Sequence, residues 1–138
     1  MPAVSVIMLV WNSGALLRPA MESILDQTMA DLELVILDNG STDGALEQAL
    51  AARPDPRVKV LRQAHNLGIG GGVAAAVPHC AAPWIALMDS DDRSHPMRLA
   101  MQLQAAAADP TLDLIGTGIS MIDVEDRPLG MWPAVYDP

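Results

Sequence analysis

The chain has 138 residues, room for one hydrophobic core and too few for two. Apolar residues make up 51% of it, which excludes global disorder. Its 17 acidic against 8 basic residues give a net charge of −9, which excludes nucleic-acid binding through a basic footprint and a polybasic membrane anchor in this segment.

Val4 to Val10 is a continuous apolar run rich in β-branched residues, the pattern of a strand buried on both faces. Asn12-Ser13-Gly14 breaks it, and Leu16, Leu17, Ala20, Ile24 and Leu25 then recur at helical spacing. Leu32 to Leu37 predicts a second buried strand, stopped by Asp38-Asn39-Gly40-Ser41. Ser41 or Thr42 is placed to cap a helix whose apolar face holds Leu46, Ala49 and Leu50. Val58 to Leu61 reads as a short third strand. Gly68 to Gly72 reads as a loop or helix entrance and Val73 to Ala81 as helix; Cys80, the single cysteine, reads as a small buried hydrophobe there. Lone as it is, it rules out an intramolecular disulfide and fits a reducing compartment. Trp84 to Met88 predicts a fourth buried strand, Ser94-His95-Pro96 a helix start, and Leu112 to Val124 a long extended segment before a turn at Asp126-Arg127-Pro128-Leu129-Gly130 that leads into Met131-Trp132. No apolar run reaches membrane-spanning length, and the N-terminus lacks the pattern of a secretion signal.

Strand and helix alternate four times before an extended, hairpin-like end. The expected fold class is therefore α/β, a Rossmann-like, mostly parallel sheet flanked by helices. Right-handed crossovers place every strand's C-terminal end on one edge of such a sheet, where ligands of open α/β folds bind. Trp11-Asn12, Asp38 to Asp43, His65-Asn66-Leu67-Gly68 and Asp89-Ser90-Asp91-Asp92 follow the four strands, so all four are expected around one cleft. The last is the most informative. Three carboxylates crowded after a strand repel one another, and a cation offsets that repulsion. Hard oxygen ligands without cysteine or paired histidine point to Mg²⁺ or Mn²⁺, and a metal there suggests chemistry on a phosphate ester.

Taken in order, Val4-Ser5-Val6-Ile7 with Trp11-Asn12, Ser23 to Thr28, Leu34 to Asp43, Asn66-Leu67-Gly68 and Trp84 to Asp92, with Pro96 and Leu99, resemble the family 2 glycosyltransferases of the GT-A fold. The resemblance covers nearly the whole chain. It implies the nucleotide-binding half of that fold and a nucleotide-diphosphate sugar donor with a divalent metal. Residues 1–138 would form a single nucleotide-diphospho-sugar-binding domain, the N-terminal part of a longer catalytic domain. The acceptor hydroxyl would belong to a glycan or lipid-linked acceptor. The setting would be cell-surface polysaccharide or glycan synthesis, in the cytoplasm or peripherally at the inner face of the membrane. By position, Asp38 would accept a hydrogen bond from the base, Trp11 would stack on it, and Asp89 would reach the ribose or support the metal, with Ser90 beside it. Asp91 would be the principal metal ligand, with Asp92 and Asp89 its neighbours.

Plainer readings stand beside these. The acidic turn could be solvated, with Ser94 capping the next helix. Asp38 could open an Asx turn, Asp43 could cap a helix or sit in its first turn, Asn12 could cap the first helix, and Trp11 could be core. His95 could approach a metal or merely start a helix. Gly68-Ile69-Gly70-Gly71-Gly72 lacks the full dinucleotide fingerprint, since Val73 takes the last glycine's place. The sequence also departs from the family: Gly72, Ala74 and Ala76 stand where Ala-x-Asn-x-Gly is usual, and Leu9 where Pro or Thr is common. A general base is not identifiable. Asp113, Asp123, Glu125, Asp126 and Asp137 match no motif position for one, which suggests a donor-binding half that is inactive alone. A half sheet would expose apolar surface, so self-association is expected. The alternative is a non-catalytic nucleotide-sugar-binding module acting with a partner chain.

Overall fold

A computed structural model describes residues 1–133. Asp137 lies outside the described residues. The chain divides into two compact units, Met1–Ala100 and Met101–Pro138.

The first unit is built on four parallel strands, β1 (Val4–Val10), β2 (Leu32–Asp38), β3 (Val58–Arg62) and β4 (Trp84–Asp89), in the order β3-β2-β1-β4. Between them run α1 (Leu17–Leu25), α2 (Ala45–Ala52) and α3 (Gly68–Ala76). β1 and β2 are central and almost wholly buried, as their unbroken apolar runs require. Side chains alternate across the sheet. On one face Ile7, Val35 and Leu37 form a closed cluster with Ala76 of α3, and Leu9, Leu61 and Cys80 pack against it. Val6, Met8, Leu34 and Ile36 alternate with these and are also fully buried. The buried stripe of α1 is Leu17, Ala20, Met21, Ile24 and Leu25, and that of α2 is Ala45, Leu46 and Ala49. The parallel α/β sheet flanked by helices is thus as expected, and so is the terminal hairpin.

Three local expectations change. Of the loop and helix-entrance readings of the glycine-rich stretch the second holds, but the helix is shifted: α3 runs from Gly68 to Ala76, not from Val73 to Ala81. Glycine costs helix propensity, but it lets α3 approach β1 closely: a Cβ on Gly72 would lie 3.0 Å from a Leu9 methyl, which would have to give way by a few tenths of an ångström. β4 is an edge strand rather than a buried one. It pairs with β1 alone among the described strands, and Ile85 and Leu87 are 41% and 58% exposed. An apolar run does not distinguish a central strand from an edge. Finally, Ser41 and Thr42 do not cap α2. Gly44 holds the N-cap position with no side-chain cap, and Asp43, one residue earlier, accepts from the Ala45 amide through Oδ1 at 3.1 Å.

α4 (Arg98–Ala108) crosses from the first unit into the second. In the second, β5 (Ile119–Ile122) and β6 (Pro128–Trp132) form an antiparallel hairpin with a register shift at Met121/Ile122. The extended segment expected from Leu112 thus becomes a strand only at Ile119.

Candidate functional site

The C-terminal ends of β1, β2 and β4 lie side by side: Val10 is in register with Asp38, and Leu9 with Asp89. The Asn39 amide donates to the Val10 carbonyl at 2.8 Å, extending the pairing past the last strand residue. Above these ends opens a cavity of about 360 Å³, within the range of small-molecule sites, roughly 300–1,000 Å³. Leu9, Val10 and Trp11 line it from β1, Asn39 from β2, Asn66, Gly68 and Ile69 from the entrance to α3, and Asp89, Ser90 and Asp91 from the acidic turn.

Four of the expected donor-binding residues, Trp11, Asp89, Ser90 and Asp91, therefore meet on one cavity. Trp11 is 58% exposed and is not core. An exposed indole at the rim of a cleft offers a flat face for stacking. Asp92 is outside the lining; burial first, then the charges of Asp89 and Asp91, push its carboxyl up. Burial disfavours the charged carboxylate, and the two neighbouring carboxylates add to it. Among the described residues no group of three or more His, Cys, Asp or Glu side chains is gathered as a ready metal site.

Asp38 stands one residue short of the cavity lining. It is 5% exposed, and both its oxygens are engaged. Oδ1 accepts from the Ser41 amide at 2.8 Å, and Oδ2 from Arg62 Nη1 at 3.0 Å. Arg62 reaches on to Glu47 at 2.9 Å. Asp38 thus holds the loop after β2 through the amide three residues on, one residue beyond an Asx turn. Asn12 neither caps a helix nor faces the cavity lining; its Oδ1 accepts from the Thr42 amide at 2.9 Å, tying the loops after β1 and β2 together. His95 Nδ1 accepts from the Met97 amide at 3.2 Å, the helix-start reading.

Two residues to which the sequence lends no role carry much of this geometry. Asn39, 4% exposed, accepts from the Leu67 amide at 2.9 Å and donates to Asn66 Oδ1 at 3.0 Å and to the Gly68 carbonyl at 3.3 Å. It fastens the start of α3 to the end of β2. Gln27, 5% exposed, does the same for the segment after the acidic turn. Its Nε2 donates to the Ser23 and His95 carbonyls and to Ser94 Oγ at 2.8–3.1 Å, and its Oε1 accepts from the Leu99 amide at 3.1 Å. A polar residue ending an amphipathic helix stripe is the one sequence hint.

The family model for glycosyl transferase family 2 matches residues 5–130. The chain belongs to that family. Among its relatives, a bifunctional glycosyltransferase, pgtA, of Dictyostelium discoideum is 38% identical over 75% of this chain and 14% of its own length. The putative glycosyltransferase EpsE of Bacillus subtilis is 34% identical over 88% of this chain and 45% of its own. The succinoglycan biosynthesis protein ExoO of Rhizobium meliloti is 33% identical over 95% of this chain and 37% of its own. The chain thus spans less than half the length of each. Two solved glycosyltransferase structures share the fold. The mannosyltransferase PcManGT of Pyrobaculum calidifontis, in complex with GDP-Man and Mn²⁺, superposes with a TM-score of 0.72 at 24% identity, over 88% of this chain and 35% of its own. TarS residues 1–349 of S. aureus, in complex with UDP-GlcNAc, superpose with a TM-score of 0.73 at 22% identity, over 88% of this chain and 38% of its own. This family 2 chain carries no helix, among its described residues, long and apolar enough to cross a membrane.

Proposed function

We propose that this chain is the donor-binding part of a glycosyltransferase that moves a hexosyl or related sugar from a nucleotide diphosphate to an acceptor hydroxyl on a glycan or lipid-linked acceptor. The observation that carries the reading is the convergence of Trp11, Asp89, Ser90 and Asp91 on one strand-end cavity. The succinoglycan relative and the GDP-Man- and UDP-GlcNAc-bound neighbours favour a nucleotide sugar in polysaccharide synthesis.

The donor set fits a hard divalent cation. Asp89 and Asp91 line the cavity and bring two carboxylates, hard oxygen donors, to one turn, where a cation would offset their repulsion. We assign Mg²⁺ or Mn²⁺ to Asp91 and Asp89, with Asp92 supporting, and the rest of the shell to donor oxygens. A bound divalent ion would supply Lewis-acid stabilisation of the diphosphate as it leaves. The chain's own groups do the rest. Trp11 offers its face to the base. Asp38 acts on the base through the loop that it shapes, and Asn39 fixes the opposite wall.

Both carboxylates in the cavity lining lie on the acidic turn. A base that deprotonates the acceptor must come from the other side of the donor. That observation favours a donor-binding half. It also keeps a second reading in play, a nucleotide-sugar-binding module that acts with a partner chain in the cytoplasm or at the inner face of a membrane. The open edge of β4 suits self-association.

Calorimetry against a panel of nucleoside diphosphates, with and without Mn²⁺, tests the site. Metal-dependent binding by the wild type, lost in Asp91→Ala, is expected. Equal binding by the two proteins would remove Asp91 from the site. Sugar transfer by the isolated chain would overturn the half-enzyme reading.

A further inference from the structure

We propose that Ser13 is a positioning residue for the acidic turn, holding Asp89 and Asp91 in the arrangement that receives the divalent cation. The inference rests on the metal-assisted donor site proposed above.

Ser13 Oγ lies 2.6 Å from Ser90 Oγ, the residue between those two carboxylates, across a sequence separation of 77. Ser13 occupies the position before the short 3-10 turn Gly14–Leu16, where a serine hydroxyl ordinarily caps the turn that follows. It makes no such cap. Its hydroxyl is turned to Ser90 instead.

The loop that carries Ser13 is fixed on both sides of it. The Asn12 amide donates to Ser41 Oγ at 3.2 Å, Asn12 Oδ1 accepts from the Thr42 amide at 2.9 Å, and the Gly14 amide donates to Asp43 Oδ2 at 2.9 Å. Asn12 and Gly14 both take left-handed backbone, with φ of 51° and 55°. That conformation suits Asn and Gly and few other residues. Asp43 is anchored in turn by the Ala45 amide at the start of α2. A continuous run of contacts, Asp43–Gly14–Ser13–Ser90, thus joins the loops after β2, β1 and β4.

The acidic turn has reason to need this support. Its own backbone closure is the Asp92 amide to the Asp89 carbonyl at 3.5 Å, at the limit of a hydrogen bond. Its downstream end is held by Ser94, whose amide donates to Ser23 Oγ at 3.0 Å and whose hydroxyl accepts from Gln27 at 3.1 Å. Between those ends, like charges drive Asp89 and Asp91 apart. A tether on Ser90 acts at the point where splaying would start. It orders the ligands before the ion arrives, so less ordering is left for the binding step.

The test is Mn²⁺ titration followed by electron paramagnetic resonance on the full chain, with uridine or guanosine diphosphate present, whichever the wild type takes. Ser13→Ala is expected to weaken Mn²⁺ about tenfold, the low end for residues that orient metal ligands. Ser13→Thr should restore it, and the metal-free melting temperature should move little. Ser90→Ala removes the same contact from the other end and should weaken Mn²⁺ equally. The double variant should lose no more than either single one. Tight binding by Ser13→Ala, beside a wild type that binds and an Asp91→Ala variant that does not, overturns the inference and leaves the metal site standing. Additive losses in the double variant overturn it as well. A wild type that takes no Mn²⁺ with either nucleotide overturns both readings together.

Discussion

Asn39 and Asn66 meet at 3.0 Å, Nδ2 to Oδ1, beyond the ends of β2 and β3, and Asn66 Oδ1 also accepts from the Gly68 amide at 2.7 Å. Removing Asn39 strands several partners at once: the Leu67 amide, Asn66 and the Gly68 carbonyl. Those partners are exposed or half-buried and regain water, so what is lost is the net worth of the bonds, about 0.5–1.5 kcal/mol each. Asn39→Ala is therefore expected to lose about 2 kcal/mol in urea unfolding. It should also weaken nucleotide binding, because Gly68 and Ile69 line the same cavity. An unchanged unfolding midpoint would show that α3 is held by its apolar face alone.

Gln27 is the corresponding fastener on the other side of the sheet edge. Gln27→Leu has similar volume but none of the four hydrogen bonds to Ser23, Ser94, His95 and Leu99. A loss on the order of 3 kcal/mol is expected for a fully buried hub of this kind. Gln27→Glu keeps the acceptor for the Leu99 amide but places negative charge against two carbonyls. Chemical denaturation should rank wild type above both variants. A Gln27→Leu protein as stable as wild type would mean that Ser94 and Leu99 are held by other contacts.

The strands were legible because β-branched runs bounded by polar turns have few alternatives, and the shared strand-end cleft followed from topology alone. Trp11, Asp89, Ser90 and Asp91 were expected at that cleft, and they line the cavity there. Asn39 and Gln27 were not, because all the partners of their side chains but Ser23 lie 27 to 72 residues away and periodicity carries no record of such pairings. The helix at Gly68 was hidden for a related reason. Propensity leaves four glycines between loop and helix entrance, and the close approach of Gly72 to the Leu9 methyls is a contact the sequence does not display. The edge position of β4 was equally invisible, since Ile85 and Leu87 look alike in a central strand and an outer one.

Asp55 gives the acid limb of the stability curve a defined source. Hydrogen bonds from Arg57 hold its carboxyl down at about 2, against burial, which acts to raise it. A folded-state value below the unfolded 3.8 stabilises the protein above that pH, and the contribution is lost as pH falls from about 4 toward about 2. Arg57 also donates to the Leu25 carbonyl at 2.9 Å, so the pair ties α1 to the turn before β3. Asp55→Asn should be less stable than wild type at pH 6 by on the order of 1 kcal/mol and nearly equal to it at pH 2. Acid titration by circular dichroism measures the difference. A constant gap across that range would assign the loss to packing rather than to charge.

Arg98 and the edge of β4 lead to a prediction of opposite sign. Arg98 Nη1 donates to the Leu87 carbonyl at 3.3 Å, but Nε and Nη2 are buried without a hydrogen-bond partner, and burial pushes the guanidinium's pKa down. A buried charge left unpaired is destabilising, and an apolar residue of similar length is tolerated as well or better. Arg98→Met should therefore melt no lower than wild type, where most substitutions at a half-buried site would lower it. The same edge exposes Ile85 and Leu87. Open edges with apolar side chains pair with other strands, and a lysine on such an edge suppresses this. Sedimentation velocity should show concentration-dependent association of the wild-type chain, and Leu87→Lys should abolish it. A wild type that stays monomeric at high concentration would mean that β4 is protected despite its open side, and would remove the expectation of self-association.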